Sequence, residues 1–170
     1  MKAGVYFILF LLVIPFQASL LNPLSLAGIK PDLALALLYI IGLVISPLEA
    51  TIIGIGTGLL LDIGSVSLIG LTGFTRGLVG LFASLLGKKV LDVSSPSNGI
   101  FLAGFSLLEG IGLMLFMQIF YEDLPFFSLI AGRILPQAIY TGVLGVVLLQ
   151  FMAGKNVLAS LMRRTVQKEL

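Results

Sequence analysis

The sequence contains no cysteine, no histidine and no tryptophan among its 170 residues. Without cysteine there is no disulfide framework and no thiolate nucleophile. Without histidine there is no imidazole acid or base, and the two absences together remove the usual zinc donors. Charge is equally scarce, since Lys, Arg, Asp and Glu make up 11% of the chain where a soluble domain carries about 25%. So few polar groups do not cover a water-facing surface, and lipid is the expected solvent for most of the chain. A net charge of +2 and the lack of any basic block interleaved with aromatics leave no basis for nucleic-acid binding.

What is abundant is apolar: 58% of the residues are hydrophobic, and the mean hydropathy is +1.16. The apolar residues form continuous runs rather than the alternation of a membrane barrel, so the runs read as helices whose backbone groups pair internally. Six spans are expected, at about 3–21, 31–45, 50–63, 68–86, 99–120 and 127–152. They make one all-α membrane domain over 1–154, a compact polytopic bundle, followed by a basic tail over 155–170. The first run also has the basic start and apolar centre of a signal peptide, but no Ala-x-Ala cleavage site follows it. The second is short enough to be re-entrant or buried instead of spanning. Gly64-Ser65-Val66-Ser67 predicts a tight hairpin between the third and fourth, Asp92 to Asn98 reads as a plain loop, and Pro136 should kink the sixth.

Lys and Arg mark orientation because cytoplasmic loops retain them. Six spans put Lys2, Lys88, Lys89 and the tail cations Lys155, Arg163, Arg164 and Lys168 on one side, and Lys30 with Glu122 and Asp123 on the other. The expectation is therefore a cytoplasmic (inner) membrane protein with both termini in the cytoplasm. The tail sets Val157, Leu158, Leu161, Met162 and Val166 against its cations, which suits an anionic leaflet or, alternatively, a docking helix for a partner.

Small residues at intervals of three or four mark faces where helices approach closely in lipid. Gly70, Gly73, Gly77, Gly80, Ser84 and Gly87 form such a stripe, Gly99, Ala103, Ser106 and Gly110 a shorter one, and Gly54 and Gly58 share a face with Asp62. Packing within the bundle and a groove for a partner protein are both open for these faces. Asp62, Arg76, Glu109 and Arg133 are the four charges inside spans to explain, since each costs about 2.5–3.5 kcal/mol on insertion scales unless it finds a partner. Two pairs, Asp62 with Arg76 and Glu109 with Arg133, or the same four swapped, would neutralise one another as a clamp in the outer half of the membrane. An ion or substrate path and lipid snorkelling are the alternatives. Arg133, Gln137 and Thr141 continue a polar stripe beside Pro136, either bonding across helices or lining a polar cavity.

No catalytic, cofactor or metal constellation emerges: Ser94 and Ser95 have no base nearby in sequence, and Gly54-x-Gly56-x-Gly58 lies in an apolar run where a phosphate has no place. The chain is not expected to be an enzyme.

Pro31-Asp32-Leu33 opening the second run, Gly54 through Gly58 to Asp62 ending the third, and Gly70 opening the fourth resemble the MreD family of bacterial rod-shape-determining membrane proteins. Length and six-span layout agree, although Gly64 to Ser67 is a less distinctive turn than the family's and Arg76 has no counterpart to assign. The resemblance implies a non-catalytic scaffold for cell-wall organisation. Its implied partners are an MreC-type periplasmic coiled-coil protein, a RodA-type glycosyltransferase, a penicillin-binding transpeptidase and an MreB-type actin-like filament, besides membrane lipid. It carries over to Pro31, Asp32, Gly58, Asp62 and Gly70. The rival is the substrate-binding membrane subunit of a vitamin-uptake transporter, which resembles this chain in hydropathy and six-helix layout. The first run lacks the Ala-x-x-x-Ala contact of those subunits, and a chain without tryptophan has little from which to build their ligand pocket.

Overall fold

The computed structural model describes residues 28–64, 70–89, 95–120 and 125–154. The first expected span, the hairpin turn after Gly64, the acidic pair Glu122-Asp123 and the basic tail with Lys155, Arg163, Arg164 and Lys168 lie outside them. Among the described residues there are five helices and no strand: α1 Leu33–Gly42, α2 Pro47–Gly64, α3 Leu71–Lys89, α4 Ser97–Phe120, and a last helix, α5, that joins Phe126–Leu129 through a π-helical turn at Ile130–Ile134 to Leu135–Gly154. Two stretches, Ser97–Ile119 and Phe127–Met152, are long and apolar enough to cross a membrane. Both turn large apolar side chains outward, Ile100, Leu108 and Ile119 on one and Phe127, Val143 and Val147 on the other, as a lipid-facing surface requires.

Each boundary has a local cause. Asp32 caps α1 by accepting the Leu35 N–H at 2.8 Å, so the helix begins after the cap and Pro31 stands just outside it. Pro47 opens α2, three residues before the expected third span at about 50: it occupies the first helical position, where its missing N–H is no loss. Ser46 Oγ accepts from the Glu49 N–H at 3.4 Å in front of it, an N-cap bond to the third helical residue. Ser97 and Asn98, read as loop, belong to α4, because Ser95 and Pro96 accept the Asn98 and Gly99 N–H groups in its first turn. Pro136 acts through the ladder ahead of it. The Leu135 N–H reaches back to the Ile130 carbonyl, five residues away, and this wider turn accommodates the proline's missing donor.

The short helix α1 is the centre of the molecule. Ten residues of helix rise only about 15 Å, half the thickness of a hydrocarbon core. Ala34, Leu35, Ala36, Leu38, Tyr39 and Ile40 are buried, and Leu33, Leu37 and Ile41 along the remaining face are partly covered. One face joins Val79 and Ala83 of α3, Leu102 of α4 and Leu149 of α5, and the other meets Ala50 and Ile53 of α2. An all-round apolar helix of this length is an interior element. Its C-terminal exit is irregular, and the Ile45 carbonyl there takes the Ser84 hydroxyl at 2.6 Å. Tyr39 Oη donates to Asn98 Oδ1 at 3.0 Å, tying α1 to the first turn of α4.

The glycine stripes are used inside the bundle. A Cβ at Gly58 would land on the backbone of Thr72 and Gly73, one at Gly54 on Arg76 and Gly77, one at Gly80 on Ala50, and one at Gly87 on Leu43. Gly73 and Gly77 lie against the side chains of Leu59 and Ile55. These approaches close the α2–α3 hairpin and seat the far end of α3 on the exit of α1. The second stripe does the same for α4 and α5: Gly99 meets Gly142 and Val146, Ala103 meets Gly142, and Gly110 meets Ile134. Close backbone contact of this kind adds van der Waals attraction between the helices.

Candidate functional site

Chain direction brings the ends of three helices against the middle of α4 and the π-helical turn of α5. The start of α1, the end of α2, the start of α3, the middle of α4 and the third turn of α5 converge on a cavity of about 260 Å³. Asp32, Thr72, Arg76, Ser106, Glu109 and Gln137 supply its polar wall, and Leu61, Leu113 and Ile134 are among its apolar groups.

Arg76 is the hub. Only 3% of it is exposed, and a guanidinium so enclosed needs compensating charge. It has two carboxylate partners from different helices: Nη2 donates to Asp32 Oδ2, and Nε donates to Glu109 Oε1 at 3.1 Å. Asp32 is fully engaged. Its Oδ1 caps α1, its Oδ2 takes Arg76, and its own N–H donates to Thr141 Oγ1 of α5 at 3.0 Å. Thr141 in turn donates to the Gln137 carbonyl at 2.8 Å. One residue thus links α1, α3 and α5.

Asp62 has a different task. Gly70 stands immediately before α3 with φ +103°, a left-handed backbone that favours glycine, and a glycine has no side chain with which to cap the helix that follows. The end of α2 supplies one: Asp62 Oδ2 accepts the Gly70 N–H at 2.8 Å and the Gly73 N–H at 3.4 Å. A carboxylate there satisfies two of the first-turn donors and complements the positive end of the helix.

The expected charge pairs are therefore rearranged. Arg76 pairs with Asp32 and Glu109 rather than with Asp62, because Asp62 lies at the level of the α3 terminus while Arg76 sits more than a turn further along. Arg133 is exposed on the π-helical turn, and no ion pair between it and Glu109 exists among the described residues. The turn rotates Arg133 to the outside and leaves Ile134 to face the cavity. Of the polar stripe on the last helix, Gln137 reaches the cavity and Thr141 makes the cross-helix bond. Asp32 was readable as a motif position but not as a member of the charge cluster, since it stands at a helix start where a cap alone explains it. Ser106 was readable only as a small residue in a packing stripe.

The arrangement gives Asp32, Arg76 and Glu109 a formal sum of one negative charge beside a small, partly open space. Among the described residues no group of three or more metal-ligating side chains is present. Comparison of the chain with protein-family models, with curated proteins and with solved structures finds no match in any of the three.

Proposed function

We propose that the chain is a non-catalytic membrane scaffold of the MreD kind, embedded in the cytoplasmic membrane of a bacterium by six spans with both termini in the cytoplasm. In this reading it binds an MreC-type periplasmic coiled-coil protein and helps to organise peptidoglycan synthesis with the elongation machinery. The observation that carries the reading is the convergence of the motif positions on one structural assembly. Asp32 caps α1 and clamps Arg76, Asp62 caps α3 through Gly70, and Gly58 sits against the first turn of α3. Residues that are adjacent in the resemblance only as letters hold together the same end of the bundle, and a scaffold depends on such fixed geometry. With six spans that end faces the periplasm, the side on which a coiled-coil partner stands.

The cavity beside Arg76 favours one second reading, the substrate-binding membrane subunit of a vitamin-uptake transporter. Co-expression with the MreC-type protein of the same genome separates the two. A complex that persists through detergent extraction and size-exclusion chromatography supports the scaffold. A chain that elutes alone and carries a vitamin detectable by mass spectrometry replaces it with the transporter reading.

A further inference from the structure

Two deeply buried side chains on the cavity wall have unused hydrogen-bonding capacity. Ser106 is 8% exposed and Glu109 7%, and both line the cavity. Glu109 gives Oε1 to Arg76, while its Oε2 and the Ser106 hydroxyl have no hydrogen-bond partner among the described residues. Polar groups buried to this degree are ordinarily bonded, and an exception calls for a specific explanation. Neither oxygen is sealed in. Among the described residues Arg76 Nη1 is the unpartnered side-chain atom that protein encloses completely, so the surface left to Glu109 Oε2 and Ser106 Oγ opens on the cavity that their residues line.

The two atoms belong to one site. Ser106 and Glu109 stand three positions apart on α4, where neighbouring side chains are roughly 5–6 Å apart at Cβ, so one small donor reaches both. The Gln137 amide of α5 stands on the same wall, and its side chain has no described partner either. Charge selects the occupant. Asp32 and Glu109 outweigh Arg76 by one negative charge, and the Asp62 carboxylate stands at the neighbouring helix end. An anion is therefore repelled, and a single positive charge brings the trio to zero. The free oxygens also call for donors, since a carboxylate accepts only, while the hydroxyl and the amide carbonyl can accept as well. An ammonium group, with three N–H donors and one charge, meets both demands. Size adds a carbon stem: the cavity holds about 260 Å³ against about 30 Å³ for one water, and Leu61, Leu113 and Ile134 give it an apolar side.

We propose that this cavity binds a small primary ammonium ion, which donates to Glu109 Oε2, Ser106 Oγ and the Gln137 side-chain carbonyl and lays its carbon stem against Leu113 and Ile134. The site goes beyond the scaffold reading and does not rest on it. Ammonium binding and capture of a coiled-coil protein are read in separate experiments, and either fails without the other.

The test is saturation-transfer NMR on the full chain in an uncharged detergent and an amine-free buffer, with ethylammonium as probe and protein-free micelles as the blank. Tetramethylammonium carries the charge without N–H donors, ethanol the stem without the charge, and acetate the opposite charge. The expected result is transfer to ethylammonium, a much weaker transfer to tetramethylammonium and ethanol, and none to acetate. Ser106→Ala, which removes one acceptor without touching the ion pair, should weaken ethylammonium binding about tenfold, as for loss of a hydrogen bond to a charged group. Glu109→Gln should abolish it. Absence of transfer to ethylammonium, equal transfer to tetramethylammonium or ethanol, or displacement of ethylammonium by an equal concentration of sodium overturns the proposal. Because the probe comparison is made on the unmodified protein, it decides even if a variant does not fold.

Discussion

Asp32 and Arg76 stand 44 positions apart in the chain and form an ion pair that joins the cap of α1 to the second turn of α3. The contact is buried on the arginine side, and Arg76 holds Glu109 of α4 at the same time. Three helices therefore share one cation.

Removing that cation leaves two carboxylates without their shared partner in a largely buried site. Arg76→Met is expected to destabilise the chain by about 3–5 kcal/mol, the usual cost of orphaning a buried charge. Thermal unfolding in detergent, followed by loss of the monodisperse peak, measures it. The triple variant Arg76→Met, Asp32→Asn, Glu109→Gln should recover most of the loss, because neutral groups carry no unpaired charge. A triple variant no more stable than Arg76→Met alone would show that Arg76 acts through packing instead.

Asp62 caps α3 rather than neutralising Arg76, and two variants distinguish these roles. Asp62→Asn keeps an acceptor oxygen for the Gly70 and Gly73 N–H groups and should be mild. Asp62→Ala should cost about 0.5–2 kcal/mol, the range for losing an N-cap. The charge swap Asp62→Arg with Arg76→Asp should not rescue either single change, and rescue in an unfolding assay would restore the pairing that the geometry replaces.

The glycines divide into two classes by what a methyl group would meet. Gly58→Ala and Gly80→Ala would drive a Cβ into the backbone of the facing helix and are expected to cost about 1–3 kcal/mol or more through overpacking. Gly104 and Gly112 of α4 have nothing within 4 Å of that position, so alanine there should be neutral or stabilising by about 0.5–1 kcal/mol through helix propensity. Expression level and unfolding temperature of the four variants provide the comparison.

Arg133 is exposed on the π-helical turn. Arg133→Gln should destabilise the chain far less than Arg76→Met, because no described ion pair is lost with it. Charge reversal at Arg133 combined with reversal at Glu109 should be no better than the Glu109 change alone, as measured by the yield of folded protein.

Tyr39→Phe removes the hydroxyl that reaches Asn98 Oδ1 and leaves a buried acceptor without that donor. A loss of about 1–3 kcal/mol is expected, and Tyr39→Phe combined with Asn98→Leu should cost less than the sum of the two single changes. Additive losses in the unfolding cycle would mean that the two residues do not interact.

Much of this protein was determined by the linear sequence. Uninterrupted apolar runs can only bury their backbone polar groups as helices, so the placement of α1 to α5 was legible to within a few residues from Pro31, Pro47, Pro125 and the polar breaks between runs. The spacing of Gly54 with Gly58, and of Gly73, Gly77, Gly80 and Gly87, marked the faces that approach closely, because three- and four-residue intervals lie on one side of a helix whatever the fold. The tertiary structure decided which face meets which helix. Spacing shows that Arg76, Asp62 and Glu109 lie within apolar helical runs, but not that Asp32 is the acid within reach, since that depends on how α1 is inserted between α3 and α5. The short run that became α1 has no polar side to orient it, so its central place was set only when the other helices closed around it. The cavity is of the same origin: Ser106 and Gln137 meet Arg76 across three helices, and no single stretch of sequence contains that geometry.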